Sequence, residues 1–151
     1  MVCDGDVRIR PAHMEDFPAV ARLLAELGRP TVTRENAADA LAVYRRHIDR
    51  APATASLVAA VGGEVVGFMS LEFRERLNRT RPQAWIPDPI VAERFRGLHA
   101  GKALLCRGLE LAREHGCWSA ILESGRSRVV AHALYRSVGM EGEGAYCILR
   151  F

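Results

Sequence analysis

Two hydrophobic periodicities alternate along the chain, and the switches between them mark its elements. Positions 7–10, VRIR, form a short β-type run. Phe17, Val20, Ala21, Leu24 and Leu27 then recur at helical spacing as far as Gly28, so a first strand leads into a first helix. Thr33 is placed to cap a second helix in which Ala37, Leu41, Tyr44 and Ile48 share a face. Two β-type runs follow, 56–61 and 65–73. They are joined by Gly62-Gly63, the kind of dipeptide a tight antiparallel hairpin needs because both central residues take positive φ.

A polar, arginine-rich stretch at 74–83 separates that hairpin from AWIPDPIVA, 84–92, which reads as a central strand interrupted by Pro87 and Pro89. Proline has no N–H to give to a ladder, so the interruption predicts a bulge or a locally unpaired edge. A helix over about 98–115 places Leu105, Leu109 and Ala112 on one stripe and stops at Gly116, ahead of the apolar run CWSAILES, 117–124. Strand, helix and strand in that order predict a right-handed parallel crossover. A short helix over 130–138 carries Ala131, Leu134, Tyr135 and Val138 on one face and ends at Gly139, and YCILRF, 146–151, reads as a closing strand. The pattern is an α+β layer structure of about six strands and four helices, with no internal repeat or linker.

Composition changes this picture mainly by exclusion. A chain of 151 residues that is 49% hydrophobic can build one core without metal or disulfide staples. No apolar run reaches the roughly 18 residues of a membrane span, and the first ten residues lack a signal-type apolar stretch. The chain is therefore expected to be a single soluble, cytoplasmic domain with no membrane partner. Cys3, Cys106, Cys117 and Cys147 form no C-x-x-C pair, so no metal site is expected. Basic residues exceed acidic ones by 21 to 18, too small a surplus for a nucleic-acid surface. Lys102 is the sole lysine among them.

Chemistry concentrates where the broken strand enters its helix. Helix starts leave N–H groups unpaired with the positive end of the dipole outward, so a glycine-containing strand-to-helix turn can hold a phosphate through the main chain. Here the turn reads Arg96-Gly97-Leu98-His99-Ala100-Gly101 followed by Lys102. No Ser or Thr follows Lys102, so this is not a Walker loop, and the spacing is not that of a dinucleotide fingerprint.

This turn, taken with Ala131 through Leu134-Tyr135 to Gly139-Met140, resembles the GNAT superfamily of acyl-CoA-dependent N-acyltransferases, whose loop is [Q/R]-x-x-G-x-[G/A] and whose second motif is A-x-x-[FL]-Y-x-x-x-G-[FM]. The order of elements from Val7 onward resembles that fold too, a mixed, mostly antiparallel sheet of about six to seven strands flanked by about four helices over 1–151. The sequence departs from the pattern at three places: His99 stands at the middle loop glycine, Arg128 where an asparagine is common, and prolines flank Asp88.

The resemblance implies a function and roles. The co-substrate would be acetyl-CoA, and the acceptor a primary amine. Main-chain groups of Ile90, Val91 and Ala92 would pair with pantetheine. Amides from Arg96, Gly97, Leu98, His99, Ala100, Gly101 and Lys102 would hold the pyrophosphate, with Arg128 and His132 beside the co-substrate. Tyr135 would protonate the departing thiolate. An alkyl amine has a pKa near about 10 and must lose a proton before it attacks, so a base is required, either Asp88, Glu72 or a water relay. A main-chain N–H near the bulge, that of Val91, would stabilise the oxyanion. Cys106 and Cys117 match no nucleophile motif, so direct attack by the amine is favoured over an acyl-cysteine route. The expected acceptor is a small molecule, aminoglycoside-like compounds included, ahead of a protein amine. A catalytically silent acyl-CoA-binding module is the rival reading, and similar proteins are commonly homodimers.

Overall fold

The computed structural model describes residues 6–28, 31–87, 89–97, 99–142 and 147–151. Asp88 and Leu98, both given site roles above, lie outside the described residues. Strand β1 (Arg8–Pro11) leads through a 3-10 turn (Met14–Asp16) into α1 (Phe17–Glu26) and then α2 (Ala37–Asp49). The hairpin is β2 (Thr54–Val61) and β3 (Glu64–Arg74), with Gly62 and Gly63 at φ 57 and 85, as a two-residue turn of that hand requires. Then come β4 (Gln83–Ile86), β5 (Ile90–Val91), a 3-10 turn (Glu93–Phe95), α3 (Ala100–Glu114), β6 (Ser119–Leu122) and α4 (Val129–Ser137).

The six strands form one sheet in the order β1-β2-β3-β4-β6, with β5 also on β3. All pairings are antiparallel except β4 with β6, the crossover around α3. Helices α1 and α2 cover one face, where Phe17 and Tyr44 lie 5.4 Å apart and Tyr44 meets Phe68 of β3 at 6.5 Å. On the other face α3 lies against Met69 and Leu71, close enough that a Cβ on Gly108 would run into Met69. This alternation along β3 builds the core, in which Val66, Met69 and Leu71 are fully enclosed.

Asp16 ties the first face together. Its two oxygens accept from Arg10 at 2.7 and 2.8 Å, its Oδ2 also accepts from the His13 N–H at 2.8 Å, and the Tyr44 hydroxyl donates to the His13 carbonyl at 2.9 Å. The hydrogen-bonded Arg10 guanidinium holds the Asp16 carboxyl below its ordinary range, while burial, with Asp16 nearby, pushes the Tyr44 phenol up to about 12.

Four expectations are corrected. The second helix is preceded by Asn36 rather than capped by Thr33; the Asn36 Oδ1 accepts from the Thr33 N–H at 2.7 Å, so Thr33 opens the turn before the helix. The third helix begins at Ala100, because His99 holds a left-handed backbone that no helix can include. The strand expected over 117–124 is paired only at Ser119–Leu122. Of the expected closing strand only 147–151 are among the described residues, and these are irregular, with Ile148, Leu149 and Phe151 exposed. Apolar, β-branched composition suits a strand, yet a strand exists only with a partner ladder, and none of those residues is paired.

Candidate functional site

The broken strand makes the site. Trp85 opposes Glu72 and Ile90 opposes Phe68, so this chain spends one more residue than β3 between the two pairings. The extra residue lies between those two pairings, as in a bulge. Beyond it β6 no longer follows, since its ladder with β4 ends at Ile86 and Leu122. The side of β5 turned away from β3 is therefore open.

Main-chain accounting shows what that open side offers. The Ala92 N–H donates to the Val66 carbonyl at 2.8 Å, and the Ala92 carbonyl accepts from Phe95 at 2.9 Å. In an antiparallel pair the bonding direction alternates, so Ile90 also turns its polar groups toward β3 and Val91 turns its own toward the opening. Of the three residues assigned to pantetheine, Val91 is the one with outward N–H and C=O groups. Its carbonyl meets only a long 3.4 Å contact from the Arg96 Nε. Ile90 contributes its side chain.

A cavity of about 560 Å³ runs from this opening between α3 and α4. Its deep end is apolar, with Met69, Ile90, Leu104 and Leu105 all nearly enclosed and Tyr135 beside them at 7% exposure. Its mouth carries Arg96, Lys102 and Arg128 together with Gly97, His99 and Gly101. Gly97 takes φ 86, His99 takes φ 60, and no side chain caps the start of α3, so the first amides of the helix face the mouth without an intrahelical acceptor. Charge outside and apolar lining inside suit a long ligand with an anionic head and a thioester tail. Tyr135 makes no hydrogen bond through its hydroxyl among the described residues.

Other assigned positions fall differently. Ala92, Ala100 and His132 lie off the cavity lining. His132 packs 6.0 Å from the Tyr135 ring and its Nε2 lies 3.0 Å from the Gly125 carbonyl. Arg94, next to the loop, is paired with Glu64 instead. Cys106 and Cys117 do not line the cavity, and burial pushes the Cys117 thiol up, away from a thiolate. Two contributions escaped the sequence reading. Glu26 of α1 accepts from the Glu93 N–H at 3.1 Å and fixes the turn that precedes the loop. Val129 and Val130 line the cavity while 69% and 79% exposed, and the signal for them is a pair of valines off the buried stripe of α4.

A bulged strand feeding a glycine loop and a helix, beside a parallel strand whose ladder ends before the bulge, has the architecture of the acyl-CoA-dependent acyltransferases that the sequence motifs resemble. The family model described as Acetyltransferase (GNAT) family matches residues 14–140, and the chain belongs to that family of acyl-CoA-dependent N-acetyltransferases. Mouse N-acetylaspartate synthetase is 31% identical over 105 residues, which are 70% of this chain and 34% of the mouse protein, so the chain spans about a third of the length of that curated relative. A putative acetyltransferase from Agrobacterium tumefaciens is 26% identical and superimposes with a TM-score of 0.83 over 95% of this chain and 99% of its own. A transcriptional regulator from Bacillus halodurans shares the fold with a TM-score of 0.88 at 22% identity, covering 97% of this chain and 100% of its own.

Proposed function

We propose that the chain transfers an acetyl group from acetyl-CoA to the primary amine of a small molecule by direct attack. The observation that carries this is the outward main chain of Val91 at the apolar end of a cavity whose mouth is the α3 start. Val91 would pair with the pantetheine amide as an added strand, and the α3 amides with Arg96, Lys102 and Arg128 would hold the phosphates. The acetyl carbonyl then lies near the bulge. The amine nitrogen attacks the thioester carbon, the carbonyl oxygen takes up negative charge beside main-chain N–H groups, and collapse breaks the C–S bond. The amine proton passes to Asp88, to Glu72 or to water, and the thiolate takes its proton from Tyr135, whose buried position lets it reach the sulfur. A small-molecule acceptor is favoured over a protein amine because the curated relatives are named for N-acetylaspartate.

Release of free CoA thiol across an amine panel tests the reading. Tyr135→Phe should lower kcat about 10²-fold or more, in the range of general-acid contributions, while acetyl-CoA affinity by calorimetry stays within about twofold. Unaltered turnover would remove Tyr135 from the chemistry. Acetyl-CoA binding with no thiol release for any amine would leave a silent acyl-CoA-binding module.

A further inference from the structure

A second cavity, of about 710 Å³, lies under the ends of β2, β3 and β4. Arg50, Glu72, Arg74, Glu75 and His115 line it, and the first cavity claims none of them. Both cavities touch β3, the first at Met69 and the second at Glu72, three residues on, or roughly 10 Å at strand rise. With pantetheine filling the first, an amine has to reach the thioester from elsewhere.

The Glu72 face of the sheet is polar at this end where the α3 face is apolar. Ser56 stands opposite Ser70, and Glu72 opposite Trp85. The Ser56 Oγ and the Trp85 Nε1 are enclosed without a hydrogen-bond partner among the described residues, so this face of the sheet carries two unmet polar atoms, on residues outside the lining of the second cavity. The Arg74 guanidinium lies 3.4 Å from the centre of the Trp85 ring and reaches Glu72 through Nε at 3.3 Å, which leaves its terminal nitrogens without a partner among the described residues and able to take an anion. The lining is thus bipolar, with carboxylates at Glu72 and Glu75 and guanidinium groups at Arg50 and Arg74. Beyond it the loop from 75 to 82 adds Arg76, Arg79 and Arg81 against the single carboxylate of Glu75. Such a rim attracts a ligand of net negative charge and repels a polycation.

We infer that the acceptor is a primary amine with an oxyanion at its far end, its ammonium beside Glu72 and its anion between Arg50 and Arg74. This rests on the acetyl-transfer reading above. Amino dicarboxylates and phosphorylated amino sugars both have this chemistry. Aminoglycosides, which are polycations, do not, and they cease to be the expected acceptor.

The test compares aspartate with its dimethyl ester, glucosamine 6-phosphate with glucosamine, and an aminoglycoside as the polycation. Binding to the CoA-saturated protein is read by saturation-transfer NMR, and turnover by thiol release. At least one anionic amine should bind and react with a KM about tenfold or more below that of its uncharged counterpart, and the pair that shows the preference identifies which anion is read. Arg50→Gln should erase that preference and Arg50→Lys restore it, with acetyl-CoA affinity unchanged in both. Equal or better use of the uncharged amines or the aminoglycoside would overturn the inference, as would a preference that survives Arg50→Gln. If the binding preference appears and depends on Arg50 while no amine releases thiol, the site assignment stands and the catalytic reading falls.

Discussion

At position 99 the main chain sits at φ 60 and ψ −4, the left-handed basin, with a histidine where the related pattern has glycine. Histidine visits this basin more readily than most side chains, at a cost of about 1 kcal/mol, so the loop keeps its path and the amides keep their aim. His99→Gly should leave acetyl-CoA affinity equal or tighter by calorimetry, and a loss of about tenfold would mean that the imidazole itself contacts the co-substrate. Asp16 makes a different argument, one about stability. Its carboxyl is held low in the folded state, chiefly by the hydrogen bonds from Arg10, and unfolding returns it to about 3.9. The lower folded value means that its contribution is complete above about pH 4 and fades as pH falls through the folded value. Asp16→Asn should cost about 1–3 kcal/mol in urea unfolding at pH 7, and the gap from the parent should narrow at about pH 3. A constant gap would assign the loss to packing alone. The role of Asp16 was not legible in the sequence, because it depends on Arg10 across a turn, whereas the left-handed position of His99 was marked by its place at a loop glycine of the related pattern.

Among the elements, periodicity served where an element's own residues decide its state. The helices carry 3.6-residue stripes, the hairpin is written in Gly62-Gly63, and two prolines announced the interruption of the central strand. It failed at 147–151, where a strand-like composition has no ladder to join, because pairing is a property of two segments. Gly67 shows the same limit from the other side. In sequence it is a weak residue inside a strand run, but a Cβ there would stand 3.2 Å from the Ala59 Cβ, 3.3 Å from the Ile90 carbonyl oxygen and 3.3 Å from Val91. The missing side chain lets β5 lie close on β3, which sets where Val91 presents its main chain. Gly67→Ala should therefore destabilise the fold by about 1–3 kcal/mol and weaken acetyl-CoA binding together, measured by denaturant unfolding and calorimetry. Lost stability with affinity intact would mean that β5 holds its place without the close approach.

Across the whole molecule the sheet is covered unevenly. Helices close both faces of β2 and β3, but beyond the bulge β5 and β6 part, and the wall there is left to the starts of α3 and α4, whose exposed valines and unpaired amides face the gap. The proposed co-substrate side of this gap was legible because its loop and the Tyr135 motif are short, local patterns. The proposed acceptor side was legible only at Glu72 and in the basic run from Arg74, since Arg50 comes from the end of a helix and joins them only after folding. Acetyl-CoA laid along Val91 and the α3 start would bind β5, α3 and α4 into one unit and would have no such surface in the unfolded chain. Linkage then requires a stabilisation that grows with ligand, about 2.7 kcal/mol at a hundredfold excess over Kd, or roughly 5 to 10 °C in Tm for a domain of this size. Free CoA should give most of that shift, because the acetyl group adds little contact. Adenosine should give almost none, because it lacks both the pyrophosphate and the pantetheine that reach the α3 amides and Val91. A thermal scan with the three ligands separates these, and an equal shift from adenosine would place the binding energy at the mouth of the cavity instead of along the open strand.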